Sequence, residues 1–526
     1  MLNLVPGSRR RATSSASTHS NKSYDDNNTN GEDDTLVVEP DQGNVLMHII
    51  SQLRPGADLS RVVLPTFILE PRSMLERITN FMCHPEMLLP IPQIEDPTER
   101  FVSVVKFYLS GWHIRPPGVK KPLNPILGEV FSCYWDLPDK SQAYYISEQT
   151  SHHPPKSSYF YMVPEHHIRV DGTLKPRSRF LGNSAASLME GTAILSLLNR
   201  GNNGKPERYI LTQPNMYARG ILFGKMKYEL GDHSFVRCPE LGLSADIEFK
   251  TKGWVGGTYN AIGGTVKNEH TGEVLYELSG LWSEEMTIKN ILTGQKEMFF
   301  NAHRSKPTPP SVRPIEEQEA KESQRLWQKT VKAVKERNHE VATDEKTKVE
   351  DMQREEAAAR ANDDIEWTPR LFRRVNGGPG GTEAGEEDLE WIINAHIDGE
   401  TPEAQAEQIL AIYPVLPGQT SRRDSIVPPI PAHKPLDASP PATGVDETVT
   451  AADAASENAT EPVAVEPFVD SAPAIDKTIS DLLTSTGTPA PAGPLMDFNK
   501  DLDKNLPTIK RSDTSGSQEL SHETSN

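Results

Sequence analysis

GEVFSCYW at residues 128–135, followed by QAYYIS at 142–147 and SSYFYM at 157–162, gives the clearest indication of the fold class of this chain. These segments are rich in aromatic and β-branched residues, and glycine, proline or aspartate separates each from the next, which is typical of short strands joined by turns. No helical pattern lies between them, so neighbouring strands are expected to pair antiparallel rather than through helical crossovers. The sequence therefore predicts an antiparallel sheet that begins near Gly128.

The same period of two continues as far as Phe300. Further strand-like segments are RYILTQ at 208–213, SADIEFK at 244–250 and VLYELSGLW at 274–282. So many consecutive antiparallel strands favour a barrel, because closure removes the unpaired edges of an open sheet. The predicted fold is α+β and mainly β, with a near-complete antiparallel β-barrel at its centre.

Helical patterns flank this region on both sides. Apolar residues recur at helical spacing in residues 45–53, 73–81, 96–109 and 316–360. The first of these helices should end before Pro55, and Asp96 followed by Pro97 forms a favourable N-cap and first turn for the third. A last folded piece at 388–417 is expected to pack on the outside of the barrel.

Composition limits how much of the chain can fold. The chain has 526 residues, 43 of them proline, and a formal net charge of −19. By residue count the charge is about −3 in residues 1–43 and about −10 in residues 441–526, whereas residues 44–375 are near neutrality. Too little apolar surface is present at either end to offset the entropy of ordering a chain. We therefore expect a disordered acidic arm at 1–43, a folded domain at 44–419, and a disordered acidic tail rich in proline, serine and threonine at 420–526.

Several functional classes are excluded by the same inspection. No run approaches the roughly 18 apolar residues of a membrane span, and the N-terminus lacks the apolar run of a secretory signal. Cys83, Cys133 and Cys238 are too far apart for a zinc knuckle or a redox pair, and they suit a reducing cytosol. An acidic chain without a basic stripe is not expected to bind nucleic acid. Enzyme signatures such as a P-loop, a G-x-S-x-G elbow or H-E-x-x-H are absent.

The densest polar cluster is EQTSHHPP at 148–155. On a straight strand His152 and His153 would point to opposite faces, and the two prolines that follow supply the bend that lets both face one ligand. Two imidazoles with pKa values of about 6.5 would gain protons beside a phosphate and become charged donors. A loop with two exposed histidines is the alternative. A zinc site that includes His166 and His167 is a weaker one, because no cysteine or aspartate joins at ligand spacing.

Two further clusters combine cations with hydrogen-bond donors. In KPLNPILGE the prolines hold an extended loop from which Lys121 and Asn124 can reach a head group. Lys346, Glu350 and Arg354 are spaced by four and share one helix face, where Glu350 can pair with both cations. The first pattern also fits a plain proline-rich loop, and the second also fits a solvated charge ladder. Taken together, the three clusters suit a phosphorylated ligand.

EQTSHHPP resembles the signature of the oxysterol-binding-protein-related lipid-transfer proteins. KPLNPILGE at 121–129 and DEKTKVEDMQR at 344–354 are similar to two further segments of that family, and the resemblance covers about residues 44–418. Within the family, segments such as LTQPNMYARGILFGKM at 211–226 are similar to the short-form yeast branch that carries phosphatidylserine.

The resemblance implies that the barrel encloses a lipid tunnel beneath an N-terminal lid. The lid helix would span 44–55, and the apolar face that it turns toward the ligand would consist of Leu46, Ile49, Ile50 and Leu53. A helix packed permanently on the core is the alternative. The resemblance also implies one site at which phosphatidylinositol 4-phosphate and a second lipid compete.

The residues of that site are carried over by motif. The 4-phosphate or the inositol ring would be bound by His152, His153, Lys346 and Arg354, with Glu350 orienting the cations. The glycerol phosphate of either lipid would be contacted by Lys121 and Asn124. Ser178 matches the position that contacts the serine head group, Leu64 matches one that lines the tunnel, and Arg177 stands where the family has a lysine.

The expected function is that of a cytosolic lipid-transfer protein without catalysis, cofactor or metal. It would exchange phosphatidylserine for phosphatidylinositol 4-phosphate between the endoplasmic reticulum and the plasma membrane, which it would contact peripherally as a monomer. A sterol/phosphatidylinositol 4-phosphate exchanger is the first alternative. A phosphoinositide-sensing scaffold that transfers nothing is the second.

Overall fold

The computed structural model of this chain describes residues 36–37, 40–51, 53–59, 62, 64–202, 205–223, 225–253, 256–375 and 389–419. The predicted arm as far as residue 35 and the predicted tail from residue 420 lie outside the described residues. Numbered in chain order, the α-helices are α1 Pro40–Ser51, α2 Met74–Arg77, α3 Pro85–Leu88, α4 Pro97–Ser110, α5 Ser323–Leu326, α6 Gln328–Lys335, α7 His339–Asn362 and α8 Pro402–Ile412. The strands are β1 Leu36–Val37, β2 Leu69–Ser73, β3 Lys121–Leu123, β4 Val130–Asp136, β5 Gln142–His152, β6 Pro155–Val163, β7 Ile168–Phe180, β8 Ser184–Asn202, β9 Lys205–Leu211, β10 Asn215–Arg219, β11 Lys225–Cys238, β12 Leu243–Lys250, β13 Ala261–Asn268, β14 Val274–Leu281, β15 Glu285–Asn290, β16 Lys296–Asn301, β17 Phe372–Arg374 and β18 Trp391–Ile393.

The helix boundaries follow local sequence in part. Asp96 caps α4 as predicted, because its carboxylate accepts hydrogen bonds from the backbone N–H groups of the first turn at 2.8 and 2.9 Å. α1 begins at Pro40 rather than at Asn44. The helix predicted at 73–81 divides into α2 and a 3₁₀ turn, and the helical stretch predicted beyond residue 316 divides into α5, α6 and α7. α6 and α7 are separated where Arg337 adopts a positive φ of 56°.

One antiparallel sheet of fourteen strands organises the described part of the chain. Its strands follow the order β16-β15-β14-β13-β12-β11-β10-β8-β7-β6-β5-β4, with β9 beside β8 and β11, and β1 beside β11. The order follows the chain almost throughout, because tight turns join most neighbouring strands. The predicted antiparallel connection is therefore confirmed.

The sheet curls until its two edges face one interior. β4 and β16 are the ends of the strand order, yet Trp135 of β4 and Phe300 of β16 share one continuous core with Phe101 of α4. The chain that leaves β16 also returns along β4, where the Ser311 N–H donates to the Tyr134 carbonyl at 2.7 Å. The predicted near-complete antiparallel barrel is confirmed, with α2 to α4 packed inside it.

Strands β4 to β6 are apolar on both faces because both faces are covered. Tyr145 and Tyr161 belong to the interior core, whereas the alternate residues Ile146 and Phe160 are buried under β17, β18 and α8. This double burial explains why the strand segments between residues 128 and 162 contain runs of apolar residues rather than a strict alternation of apolar and polar ones. The piece predicted at 388–417, which the structure describes from residue 389, does pack on the outside.

One end of the barrel, which we call the mouth, carries the β5–β6, β7–β8 and β10–β11 turns, as the strand register requires. The N-terminal segment lies across this end. β1 pairs with the first residues of β11, and after α1 the chain is held to the end of β7, where the Phe180 N–H donates to the Ala57 carbonyl at 2.9 Å. Among the described helices, none has both the length and the apolar character that a bilayer crossing requires.

Candidate functional site

The β5–β6 turn carries the two adjacent histidines that were predicted to bind phosphate. A register shift between Gln149 and Ser151 bends β5 just before its end, and His152 pairs with Pro155 across the turn. The rings of His152 and His153 are in contact, with centroids 4.5 Å apart and planes at 70°. The bend and the turn thus bring together two imidazoles that a straight strand would separate.

The surroundings of His152 favour its neutral form. Burial, followed by the charge of His153, lowers the pKa of the His152 imidazole to about 4, while the backbone of Pro125 acts in the opposite direction. Its Nδ1 is buried and has no hydrogen-bond partner among the described residues. A buried polar atom without a partner is rare in a folded protein, and a ligand that supplies the partner accounts for it.

The loop at 121–129 is fastened to this hairpin by its backbone. The Gly128 N–H donates to the Gln149 carbonyl at 3.0 Å, and the Gln149 N–H donates to the Glu129 carbonyl at 2.9 Å. Gly128 has a φ of +75°, and a Cβ at this position would lie 2.6 Å from the ring of Trp367. Only glycine fits there, so the tight passage from the loop into β4 depends on it.

Glu129 is the buried centre of this scaffold. Burial raises the pKa of its carboxyl group, although several donors surround it. These donors are Ser73 Oγ at 2.5 Å, Ser323 Oγ at 2.6 Å, Trp327 Nε1 at 2.9 Å and the Ile126 N–H at 3.1 Å. One carboxylate therefore joins β2, α5, the start of α6 and the loop. Sequence reasoning quoted Glu129 within a motif and assigned it no role.

Lys121 and α7 form a charged cluster beside the loop. Lys346 Nζ binds Glu350 Oε1 at 2.6 Å, as their spacing predicts. Burial, followed by the charge of Lys346, lowers the pKa of Lys121, whereas Glu350 and Asp58 favour its charged form. An anionic ligand placed here would favour that charged form further.

Arg354 does not pair with Glu350, contrary to the spacing argument. Its exposed guanidinium binds Asp351 instead, with Nε 3.2 Å from Oδ1, because the residue three positions earlier lies equally close on the helix surface. Gln353, next to it, attaches α7 to the loop, since its Oε1 accepts a hydrogen bond from the Leu127 N–H at 2.8 Å. Sequence reasoning did not single out Gln353.

The other predicted site residues lie around the same end of the barrel. Ser178 is half-buried near the end of β7, and the backbone of its neighbour Arg179 forms an isolated antiparallel β-bridge with that of Asp58. The charge of Asp58 acts on Lys121 in the cluster just described. Leu64 is half-buried in the segment that follows the lid, and Asn124 is exposed on the loop. The structure places no hydrogen bond between these side chains and the histidines among the contacts it describes.

α1 closes over the mouth in the position of the predicted lid. Leu46, Ile49 and Ile50 are buried and Leu53 is partly buried. The side chains of the barrel and the following segment that Leu46 and Ile50 cover, which we call the lid seat, are Leu59, Phe180, Ile221 and Met226.

The interior cavity is small in this closed form, at about 60 Å³. It lies between the helices and the strands, and it reaches the loop through Lys120 and Pro122. Its walls include Met74, Met189 and Met216, whose flexible thioether side chains can move to admit ligands of different shape. A larger groove of about 510 Å³ opens between β2 and α6 and shares no residue with the predicted site.

A lidded barrel with an apolar interior and a cluster of imidazole and ammonium groups at its mouth is the architecture of a lipid-binding protein. The sequence profile of the oxysterol-binding protein family matches residues 48–335, and the chain belongs to this family. It is 51% identical over 423 residues to oxysterol-binding protein homolog 6 of Saccharomyces cerevisiae, an alignment that covers 79% of this chain and 92% of that protein. The predicted family is therefore confirmed, and so is its short-form yeast branch.

Solved structures of the family agree on the fold. The Osh1 ORD domain in complex with cholesterol has a TM-score of 0.57 at 23% identity, and the match covers 71% of this chain and 91% of that domain. The Osh3 ORD of Saccharomyces cerevisiae in complex with PI(4)P has a TM-score of 0.50 at 20% identity, with 69% and 92% covered. At these identities the likeness supports the barrel and its tunnel rather than any particular ligand.

Proposed function

We propose that this protein exchanges phosphatidylserine for phosphatidylinositol 4-phosphate between the endoplasmic reticulum and the plasma membrane, by binding and without catalysis. The observation that carries the proposal lies at the mouth of a lidded apolar barrel, where the His152–His153 pair and the Lys121–Lys346 pair are both attached to the loop at 121–129. Membership of the oxysterol-binding protein family supports it, as does the 51% identity to oxysterol-binding protein homolog 6 of Saccharomyces cerevisiae. The choice of phosphatidylserine as the second lipid rests on the resemblance of the sequence segments described above.

The 4-phosphate would be held by groups that suit a phosphate monoester, which only one of the two lipids carries. A phosphate monoester carries close to two negative charges and three acceptor oxygens at neutral pH. His152 offers a buried nitrogen without a protein partner, His153 lies against it, and Lys346 is already oriented by Glu350. Arg354 lies further out on α7, where it would reach the inositol ring after leaving Asp351.

Two of the remaining predicted residues would bind the part that both lipids share. Lys121 and Asn124 lie on the loop and would contact the glycerol phosphate, which is present in either lipid. Ser178, on the other side of the mouth, would contact the serine head group. Two lipids that share one glycerol-phosphate position cannot be bound together, which is the condition for exchange.

The lid is a thermodynamic requirement of such a carrier. Burying one acyl chain of 16 carbons is worth roughly 13 kcal/mol, at about 0.8 kcal/mol for each CH₂ group. A tunnel open to water would forfeit much of this free energy. The burial of Leu46 and Ile50 on the lid seat supports a lid that keeps the chains dry while the protein crosses the cytosol. We propose that residues 44–419 form the transfer domain and act as a monomer that contacts membranes peripherally.

A sterol/phosphatidylinositol 4-phosphate exchanger is the second candidate. It is favoured by Gln213, whose Oε1 is buried at the interior cavity without a hydrogen-bond partner in the described structure and could accept one from a hydroxyl group. Mass spectrometry of the lipids that co-purify with the protein separates the candidates. Phosphatidylserine supports the first, sterol supports the second, and no second lipid favours a sensing scaffold.

The direct test removes the imidazoles. Replacing His152 and His153 together with alanine should abolish extraction of phosphatidylinositol 4-phosphate from liposomes and leave extraction of phosphatidylserine largely intact, because the serine lipid has no monoester. The matched control replaces His166 and His167, an adjacent pair at the opposite end of the barrel, where His166 binds Asp139 at 2.6 Å. Equal loss of both lipids in the first variant would show that the pair is structural.

A further inference from the structure

Large apolar side chains are exposed on the lid and on the two turns of the mouth that adjoin it. Phe223 is 71% exposed and Leu222 is 42% exposed in the β10–β11 turn, Leu181 is exposed in the β7–β8 turn, and Met47 is exposed on α1. Single exposed apolar residues are ordinary on a protein surface, whereas a group of them at one place marks an interaction site. We call these four residues the rim.

The two turns that carry Leu181, Leu222 and Phe223 are joined by hydrogen bonds. The Asn183 carbonyl accepts a hydrogen bond from the Gly220 N–H at 3.2 Å, and Asn183 Oδ1 accepts one from the Leu222 N–H at 3.3 Å. The β7–β8 turn is itself closed by the Leu181 N–H, which donates to the Ser184 carbonyl at 2.8 Å. Leu222 and its neighbour Phe223 are therefore tied to the β7–β8 turn through Asn183.

The rim is continuous with the lid seat. Phe180 of the seat precedes Leu181 of the rim, and Ile221 of the seat precedes Leu222. The lid covers the seat and leaves the rim exposed. When the lid lifts, the seat and the rim residues of the two turns become one apolar surface around the mouth, and water is a poor solvent for such a surface.

Cations surround the rim. Lys225 is exposed and has no ion-pair partner in the part of the chain that the structure describes, and Arg54 is exposed at the end of the lid segment. Lys227 and Lys252 lie 4.4 and 4.5 Å from the ring centre of Tyr259. An apolar surface edged by ammonium groups and an aromatic ring suits the interface of an anionic bilayer, where chains and phosphates lie at successive depths.

We propose that the rim inserts into the surface of an anionic lipid bilayer and that the bilayer replaces the lid as the cover of the lid seat. The proposal rests on the proposed function, since a carrier must meet a membrane, and it adds which surface does so. Contact with the bilayer would then lower the free energy of lid opening, because the seat passes from one apolar cover to another.

The test uses vesicles that contain no cargo lipid, composed of phosphatidylcholine and phosphatidylglycerol. The full chain with both Leu222→Asp and Phe223→Asp should bind them at least about tenfold more weakly than the wild type in a sedimentation assay, since two inserted apolar groups are replaced by charges that anionic lipid repels. The matched control is Leu292→Asp, because Leu292 is 92% exposed in the β15–β16 turn at the other end of the barrel. This control should bind vesicles as the wild type does.

The outcomes are distinct. Equal binding by the rim variant and the wild type, or an equal loss in the control, would overturn the proposal. If the rim variant binds vesicles as well as the wild type does but no longer binds some protein partner, the rim belongs to that partner and the proposal is also overturned. Loading of phosphatidylserine or phosphatidylinositol 4-phosphate from detergent micelles is measured separately. A rim variant that loads normally but does not bind vesicles supports the rim, and a wild type that binds vesicles but loads neither lipid refutes the proposed function alone.

A different contact carries a second inference, which concerns Gln353. This residue is almost completely buried, it lies between Glu350 and Arg354 in α7, and its Oε1 accepts the Leu127 N–H at 2.8 Å. We infer that Gln353 is a positioning residue that holds α7, and thus Lys346, in register with the loop that carries Lys121. This inference also rests on the proposed function.

The test compares two replacements of Gln353. Gln353→Leu removes the acceptor and leaves the Leu127 N–H unsatisfied, so it should weaken binding of phosphatidylinositol 4-phosphate by about tenfold and binding of phosphatidylserine much less. Gln353→Glu keeps an acceptor oxygen and should restore the ratio of the two affinities. Equal loss of both lipids in Gln353→Leu, without restoration in Gln353→Glu, would overturn the inference. Amide hydrogen exchange at Leu127 reports the contact itself, even if neither lipid binds.

Discussion

The buried imidazole at the mouth predicts that the binding of phosphatidylinositol 4-phosphate depends on pH through His152. Its pKa of about 4 in the free protein means that protonation at pH 7 costs about 4 kcal/mol, at about 1.4 kcal/mol for each pKa unit. A hydrogen bond between an imidazolium and a phosphate returns about 1.5–3 kcal/mol. The pKa of His152 in the complex should therefore rise to about 5–6. Because the bound state then holds the proton more tightly than the free state, binding becomes stronger as the pH falls through this range.

The size of the effect follows from these two pKa values. At pH of about 5 the affinity gained through protonation of His152 should be roughly 2- to 10-fold, and above a pH of about 7 this gain should vanish. The phosphate of the lipid itself takes up a proton near pH 6, which acts in the opposite direction. The variant His152→Gln keeps that second effect and loses the first, so the ratio of wild-type to variant affinity isolates the imidazole.

The assay is liposome extraction of each lipid at pH values of about 7.5, 6 and 5, with circular dichroism to verify that both proteins stay folded. The ratio of wild-type to His152→Gln affinity should rise toward acid pH for phosphatidylinositol 4-phosphate and stay constant for phosphatidylserine. A ratio that is flat for both lipids would refute the reasoning, since it would mean that His152 remains neutral beside the phosphate.

Three further predictions test the scaffold, the interior and the tunnel. Gly128→Ala should lower the free energy of unfolding by about 2 kcal/mol or more, because a side chain at this φ costs about 1–2 kcal/mol and its Cβ would also meet the ring of Trp367; a thermal melt like that of the wild type would contradict this. His113 lies 2.9 Å from His84 between the ring nitrogens, and burial lowers its pKa to about 4, so the unfolded chain takes up a proton below about pH 6.5 that the folded state resists. The free energy of unfolding should fall by about 1–2 kcal/mol as the pH drops from about 6.5 to 4, after allowance for the partial exposure of the ring. In urea titrations His113→Asn should make the free energy of unfolding depend less on pH, and an unchanged pH dependence would exclude this cause. Leu64→Asp should block lipid loading while leaving the barrel folded, because a carboxylate beside acyl chains can be neither solvated nor paired, and normal uptake of phosphatidylserine would show that Leu64 does not line the tunnel.

The fold was predictable where local pattern and tertiary environment agree. The apolar segments from 128 to 162 became strands, and Asp96 with Pro97 started α4 as its cap chemistry requires. The pattern was less informative for the long β7–β8 hairpin, which contains Pro176 and several glycines and serines. Such residues have low strand propensity, and the hairpin forms because its neighbours supply the pairing on both sides.

The site was predictable only to the extent that it is local in sequence. His152 and His153 are adjacent, and Lys346 with Glu350 is one helical turn apart, so spacing alone brings each pair together. Glu129 accepts from a tryptophan 198 positions away, and Gln353 accepts from an amide 226 positions away. No periodicity signals a partner at that separation. Arg354 shows that local spacing can also mislead, because Glu350 and Asp351 both lie at helical spacing from it and compete for its guanidinium group.

The lid is attached at both ends, and the two attachments differ in strength. At its start only the two residues of β1 pair with β11, whereas at its end the chain is bonded to Phe180 through two backbone hydrogen bonds of 2.6 and 2.9 Å. A two-residue ladder frays far more readily than the rest of the sheet, so the start of the lid acts as a latch and the segment around Ala57 as a hinge. The rate at which the carrier releases its cargo would then be set by the length of the latch. Lengthening β1 by one pair would slow transfer without altering a single residue that contacts the lipid.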